Sequence, residues 1–214
     1  PERYKALENI LQQIRDKSID NLIIAGDLFD KDFSNYSEFD ALCNKYSPIN
    51  ILIIPGNHDY HIEQRFFTSS NVEIIKNIKI KNIGGVAVLF VPYEIAKSID
   101  ESLADYYHKE KLPERWILIG HGDYITGNRE LNPYEPGFYM PLTTKSITRY
   151  NPLRVFLGHI HKPSEFGRVT YPGSPCGLDI TETGRRRFII YDVGADSAEH
   201  AYVQTEKIYF NESM

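Results

Sequence analysis

Ile51-Leu-Ile-Ile54-Pro55-Gly56-Asn57-His58-Asp59 is a strand, apolar at four consecutive positions, that stops at a Pro-Gly pair and opens onto three polar side chains. A short run that is apolar at every position belongs to a sheet covered on both faces. The same construction recurs three times. Leu22-Ile-Ile-Ala25 runs into Gly26-Asp27-Leu28-Phe29-Asp30, Trp116-Ile-Leu-Ile119 into Gly120-His121-Gly122, and Val155-Phe-Leu157 into Gly158-His159-Ile160-His161. In such sheets the side chains just beyond the carboxyl ends of neighbouring strands converge on one crevice. Glycine ahead of the polar residue lets the backbone turn sharply there.

Outward from these strands, Tyr4, Leu7, Leu11 and Ile14 recur at helical spacing and predict an amphipathic helix over residues 2–18. Phe39, Leu42, Cys43 and Tyr46 mark a second helix, stopped by Ser47-Pro48. Helix, strand, helix, strand is the rhythm of parallel βαβ units. Beyond Asn71 the texture changes to short strands at 72–75, 78–83 and 86–91, with Gly84-Gly85 as a hairpin turn and a polar helix over 97–109. From Val169 to Phe210 the chain reads as antiparallel strands punctuated by Pro172-Gly173 and Gly194. With no repeat and no linker, 1–214 is expected to be one domain.

Hydrophobic residues at 42% and charged residues at 25% are ordinary for a globular protein, and no apolar run reaches the ~20 residues of a membrane span. Two cysteines, Cys43 and Cys176, cannot build a disulfide framework, so a reduced, cytoplasmic setting is expected. The balance of 24 basic to 29 acidic residues gives −5, which argues against nucleic-acid binding by bulk charge. The one basic cluster, Arg185-Arg186-Arg187, reads first as a solvated hairpin end and second as a phosphate-backbone contact.

Taken singly, each polar terminus has a plainer reading. Asp27 could cap a helix, Asn57 could serve a turn, and His121 could be a satisfied core histidine. Their joint occurrence, in order, at the ends of four apolar strands selects a metal site. The mixed oxygen and imidazole donors suit Mn²⁺, Fe²⁺ or Zn²⁺.

Gly-Asp-x-x-Asp, Gly-Asn-His-Asp, Gly-His and Gly-His-x-His, in that order, resemble the successive signatures of the calcineurin-like metallophosphoesterases. The resemblance implies an α+β fold, a four-layer αββα sandwich of two mixed β-sheets flanked by helices. It implies two divalent ions, Mn²⁺ first among them. Asp27 would bridge the ions, Asn57, His121 and His159 would complete one, and His161 would ligate the other. His58 would protonate the leaving oxygen, Asp59 would orient its ring, and Asp30 would stand behind the ligands. In-line displacement at phosphorus, with both cations stabilising phosphoryl charge, is the chemistry implied.

The family opens with Asp-x-His on a first strand, whereas this chain begins inside the first helix. Its only such triplet, Asp59-Tyr60-His61, overlaps Gly-Asn-His-Asp. The first strand is therefore expected to be missing from the sequence, together with any C-terminal cap, and its loss should open a large apolar slot. Within the family, Gly158-His-Ile-His-Lys-Pro163 followed by Tyr171-Pro-Gly-Ser-Pro175 and Tyr191-Asp-Val193 looks closest to the DNA-repair nucleases, the exonuclease D subunit and its relatives. That resemblance implies a DNA substrate, an SMC-like ATPase partner of the long coiled-coil type, and room for a homodimer. The alternatives are a stand-alone phosphodiesterase or phosphatase for a small substrate and, third, an inactive scaffold. Tyr60, Tyr93 and Tyr124 lie near the site-forming segments and are read as packing residues before base-stacking ones.

Overall fold

The structure, a computed structural model, describes residues 2–29, 35–127, 137–177, 180–205 and 207–210. Helix α1 (Glu2–Asp16) buries Ala6, Ile10, Leu11 and Ile14, the apolar stripe carried by its sequence. Strand β1 (Asn21–Ala25) follows, then α2 (Tyr36–Lys45), which starts where the Asn35 side chain accepts the Glu38 amide. β2 (Asn50–Ile54) and β3 (Val72–Ile74) complete a parallel three-stranded sheet in the order β1-β2-β3. Next come β4 (Lys79–Ile83), β5 (Val86–Val91) and α3 (Ile99–Lys109), whose first turn is closed by a reciprocal Ser98–Glu101 capping box. β6 (Trp116–His121), β7 (Tyr124–Ile125), β8 (Leu142–Thr143), α4 (Thr144–Tyr150) and β9 (Arg154–Gly158) then alternate. After them lie β10 (Ser164–Phe166), β11 (Val169–Tyr171), β12 (Arg187–Asp192) and β13 (Ser197–Tyr202).

The second sheet is mixed and six-stranded, in the order β10-β11-β9-β6-β5-β4. Period-2 alternation sorts its side chains into two cores. On β6, Trp116 and Leu118 face α3 and α4, while Ile117 and Ile119 face the three-stranded sheet. On β2, Ile51 and Ile53 pack under α1 and α2, while Leu52 and Ile54 meet Val88 and Phe90 of β5 between the sheets. Helix, sheet, sheet, helix is thus the layer order. Within the described residues the smaller sheet is wholly parallel rather than mixed. Among those residues no helix is long and apolar enough to cross a membrane.

The tail departs from the antiparallel pattern expected of it. β11 pairs parallel with β9 and antiparallel with β10, so it extends the main sheet, and only β12 and β13 form a separate hairpin. A three-residue strand carries no signal for its partner. That is set by the short β10–β11 hairpin, which folds the chain back beside β9. Helix α4 is also invisible in sequence. Its TKSITRY run holds three β-hydroxyl residues, and its buried residues are Ser146 and Tyr150, so it lacks an apolar stripe.

A polar clip ties α2 to the segment before β3. The buried Asp40 carboxylate accepts both the Thr68 amide (3.1 Å) and hydroxyl (2.5 Å) and the Ser69 amide (2.9 Å). Burial pulls its pKa up, but the Ser69 and Thr68 donors outweigh that and hold it below the ordinary carboxylate value. Asp40→Asn should therefore lower stability by about 1–3 kcal/mol at neutral pH, because the acceptor loses its charge and the oxygen that takes the Thr68 hydroxyl becomes a donor. Because the folded pKa lies below the unfolded one, the gap is complete above about pH 4 and closes as pH falls through the folded value. Urea denaturation of both proteins across pH 2–7 reads it. A gap that persisted undiminished into strong acid would contradict the clip.

Candidate metal centre

The four polar termini meet where the two sheets abut. Gly26 (φ +89°) and Asp27 (φ +54°) turn sharply out of β1. A Cβ on Gly26 would lie 2.8 Å from the Gly56 Cα and against the His121 ring, and one on Gly158 would overlap the Ala25 carbonyl oxygen. Only glycine lets these strand ends close around His121. His159 also sits at positive φ (+89°). Non-glycine residues at positive φ cost free energy, and such strain gathers at functional sites.

Donor atoms of Asp27, His121 and His159 lie within 4.8 Å of one another. Asn57 Oδ1 completes the group, 2.9 Å from His121 Nε2 and 3.1 Å from His159 Nδ1. His121 is fully buried, and its Nδ1 donates to the Ala25 carbonyl at 2.7 Å, so in the neutral ring Nε2 is a bare lone pair. That lone pair faces Asn57 Oδ1 and, at 3.2 Å, Asp27 Oδ2. Converging acceptors repel one another unless a cation lies among them, and a buried imidazolium is a costly way to supply one. A divalent ion would serve all the donors at once, so the residues fit one.

Asp59 has no exposed surface, and its hydrogen bonds run to four backbone amides: Gly56 (2.6 Å), Leu28 (2.9 Å), Asp27 (3.2 Å) and Phe29 (3.3 Å). Those bonds clamp the Asp27 turn to the end of β2. Burial and the Asp27 carboxylate raise the pKa of Asp59, against the amides, which lower it. For Asp27, burial acts upward, but the His121 ring and the His58 amide (2.8 Å to Oδ1) prevail and hold the pKa below the ordinary value.

The His58 ring is exposed beside this cluster. His161 stands apart from the close group. Its ring is half exposed and its Nδ1 is bonded to Glu182, a residue sequence reading passed over. Asp30 lies outside the described residues. Asp123 was also missed: it is buried, accepts the Tyr139 amide (2.9 Å), and its Oδ2 lies 3.9 Å from His159 Nε2. The sequence signal for it was its place two residues after His121. Tyr93 packs edge-on to His121 (6.2 Å) and Tyr139 tilts against His159 (4.8 Å), whereas Tyr60 is exposed and Tyr124 bonds Thr144. Burial, with Tyr139 and Asp27 adding to it, pushes the Tyr93 phenol up.

The basic cluster is not simply a solvated turn. Arg186 is 3% exposed and donates to Glu182 (3.0 Å) and to the His161 carbonyl (3.2 Å). Arg185 lies over the Tyr202 ring, and Arg187 reaches Glu165. A groove of about 1370 Å³ runs along β1, with Leu7, Leu22, Ile24 and Phe188 among its walls and Asp27, His159 and His161 toward its polar part. Among the described residues β1 is an edge strand, and the groove lies beside it.

The family model for calcineurin-like phosphoesterases matches residues 1–163, about three-quarters of the chain. The chain belongs to that family. No curated protein matches it at a significant level. Membership makes metal-dependent phosphoester hydrolysis the activity of this fold, and the Asp27–His121–His159 group is the candidate centre for it.

Asp59→Asn alters a side chain that bonds the Asp27 amide but none of the candidate donor atoms. It should weaken binding of Zn²⁺ or Mn²⁺ by about 10–100-fold, the usual cost of losing a group that orients ligands. Isothermal titration measures it. Affinity equal to wild type would show that the Asp27 turn holds without its clamp.

Proposed function

We propose that the protein hydrolyses phosphodiester bonds in DNA, as the nuclease subunit of a repair complex with a coiled-coil ATPase. One observation carries this reading. The Tyr171–Pro175 segment and the Gly-His-x-His loop, which together carry the likeness to the DNA-repair nucleases, pack as one unit. Ser174 donates its amide to the His161 carbonyl at 3.0 Å, and Gly173 lies against Pro163.

In this reading Asp27, Asn57, His121 and His159 would hold one divalent ion, and Asp27 with His161 would serve a second, Mn²⁺ before Fe²⁺ or Zn²⁺. The ions supply Lewis acidity and an activated water at neutral pH. The His121 ring and the His58 amide hold the Asp27 pKa low against its burial, so its carboxylate would offer a negative charge to a cation. His58, exposed beside the cluster, delivers the proton to the departing oxygen. Tyr93 and Tyr139 wall the site on the side of His121 and His159. The second reading, a phosphodiesterase for a small substrate, is favoured by the acidic balance of −5, which gives no bulk attraction to a polyanion.

The test is Mn²⁺-dependent turnover of linear duplex DNA, single-stranded DNA and a chromogenic phosphodiester. His58→Ala should keep its metal and lose roughly 10²-fold or more in rate, the usual scale of a general acid. Asp27→Ala should lose metal and activity together. Turnover of the chromogenic ester without cleavage of either DNA would favour the small-substrate reading. Loss of metal in His58→Ala would overturn the assignment of roles.

A further inference from the structure

His161 is gripped at its ring and at its backbone by a buried polar group built on Glu182 and Arg186, residues outside every family motif quoted above. Its ring Nδ1 is bonded to one oxygen of Glu182. The other Glu182 oxygen accepts Arg186 Nη2 (3.0 Å) and the Ser174 hydroxyl (3.2 Å). The His161 carbonyl accepts Arg186 Nη1 (3.2 Å) and the Ser174 amide (3.0 Å). Thus the two residues that hold the Glu182 carboxylate also hold the His161 backbone. The exposures run in opposite senses: the His161 side chain is 50% exposed, while those of Glu182 and Arg186 are 11% and 4%.

A simple ion pair between Glu182 and Arg186 would need only one carboxylate oxygen. Here the second oxygen is committed to an imidazole that lines the groove shared with Asp27 and His159. A neutral imidazole that donates Nδ1–H to a carboxylate has its lone pair on Nε2 alone, and the carboxylate makes that lone pair more basic. Arg186 in turn stops the carboxylate from swinging to solvent, because the guanidinium is anchored to the His161 carbonyl as well.

We propose that Glu182 is the positioning residue for His161: it accepts the Nδ1–H hydrogen bond, fixes the ring in one tautomer, and so presents Nε2 to a divalent cation in the groove, with Arg186 and Ser174 holding the carboxylate in place. The inference rests on the reading that His161 is a cation ligand, and the two can fail separately. The binding class is a borderline divalent ion such as Zn²⁺ or Mn²⁺, which imidazole nitrogen suits.

The experiment is ¹⁵N-resolved NMR of the histidine side chains in the metal-free full chain, at a pH high enough for imidazole to be neutral. Wild type should carry the His161 proton on Nδ1. Glu182→Ala should release it to a mixture of tautomers, and Glu182→Gln, which keeps an acceptor oxygen, should restore the Nδ1–H form. A Zn²⁺ titration followed on the same resonances should move His161 Nε2, with the midpoint shifted about 10–100-fold to higher Zn²⁺ in Glu182→Ala. An Nε2–H tautomer in wild type overturns the proposal and needs no variant to fold. So does an unchanged tautomer and midpoint in Glu182→Ala. If the tautomer responds to Glu182 but Zn²⁺ leaves His161 untouched, the ligand reading fails and the presentation to a cation fails with it.

Discussion

The Asp59 carboxylate, with no exposed surface, gathers the amides of Gly56, Asp27, Leu28 and Phe29. Much of the site depends on that clamp. The amides belong to two chain segments, the turn after β1 and the end of β2, which parallel pairing alone aligns only as far as Ala25 and Ile54. Beyond those residues the backbone departs from the ladder and needs other acceptors for its N–H groups. One carboxylate supplies four, and in doing so holds Asp27 at φ +54°, a conformation the residue would not adopt unaided. The Asp27 side chain in turn accepts the His58 amide, so the two loops lock each other.

His121 is the second fixed point. It enters on β6 of the other sheet, and its ring bridges the sheets by donating to the Ala25 carbonyl of β1. The interface of Leu52 and Ile54 with Val88, Phe90, Ile117 and Ile119 holds the sheets at one spacing. Dry side-chain packing thus sets the distance at which Asp27, Asn57, His121 and His159 meet. Interiors packed this densely do not deform smoothly, which suits a centre that must keep its donors in place.

Behind the imidazoles stands a layer of acids. Asp123 lies near His159 and is bound to the Tyr139 amide, and Glu182 is bonded to His161 and Arg186. Arg186 keeps that corner from accumulating uncompensated negative charge in a buried place, where a lone carboxylate would be costly. A three-arginine run that would read as a solvated turn is thereby split by function: one arginine sits beneath the His161 loop, and its neighbours lie on a tyrosine ring and beside Glu165.

The sequence by itself determined the strands that carry the site and the residues at their ends. Leu22–Ala25, Ile51–Ile54, Trp116–Ile119 and Val155–Leu157 are legible because burial on both faces demands continuous apolar runs, and glycine before each polar residue marks the turn. Amphipathic spacing likewise gave α1 and α2, and a polar helix was legible at α3, whose start a capping box closes. What only the tertiary structure decided were pairings between residues far apart in the chain. The parallel seat of β11 beside β9 depends on a route no three-residue strand encodes. The meeting of Asp59 with amides of two segments, and the burial of Arg186, follow from which segments meet there. Glu182 lies 21 residues from His161 with no motif linking the two, and the contact exists because the loops carrying them pack together through Ser174 and Arg186. Periodicity reports how one element faces its core; it carries no information about the partner that a loop side chain meets from another part of the fold.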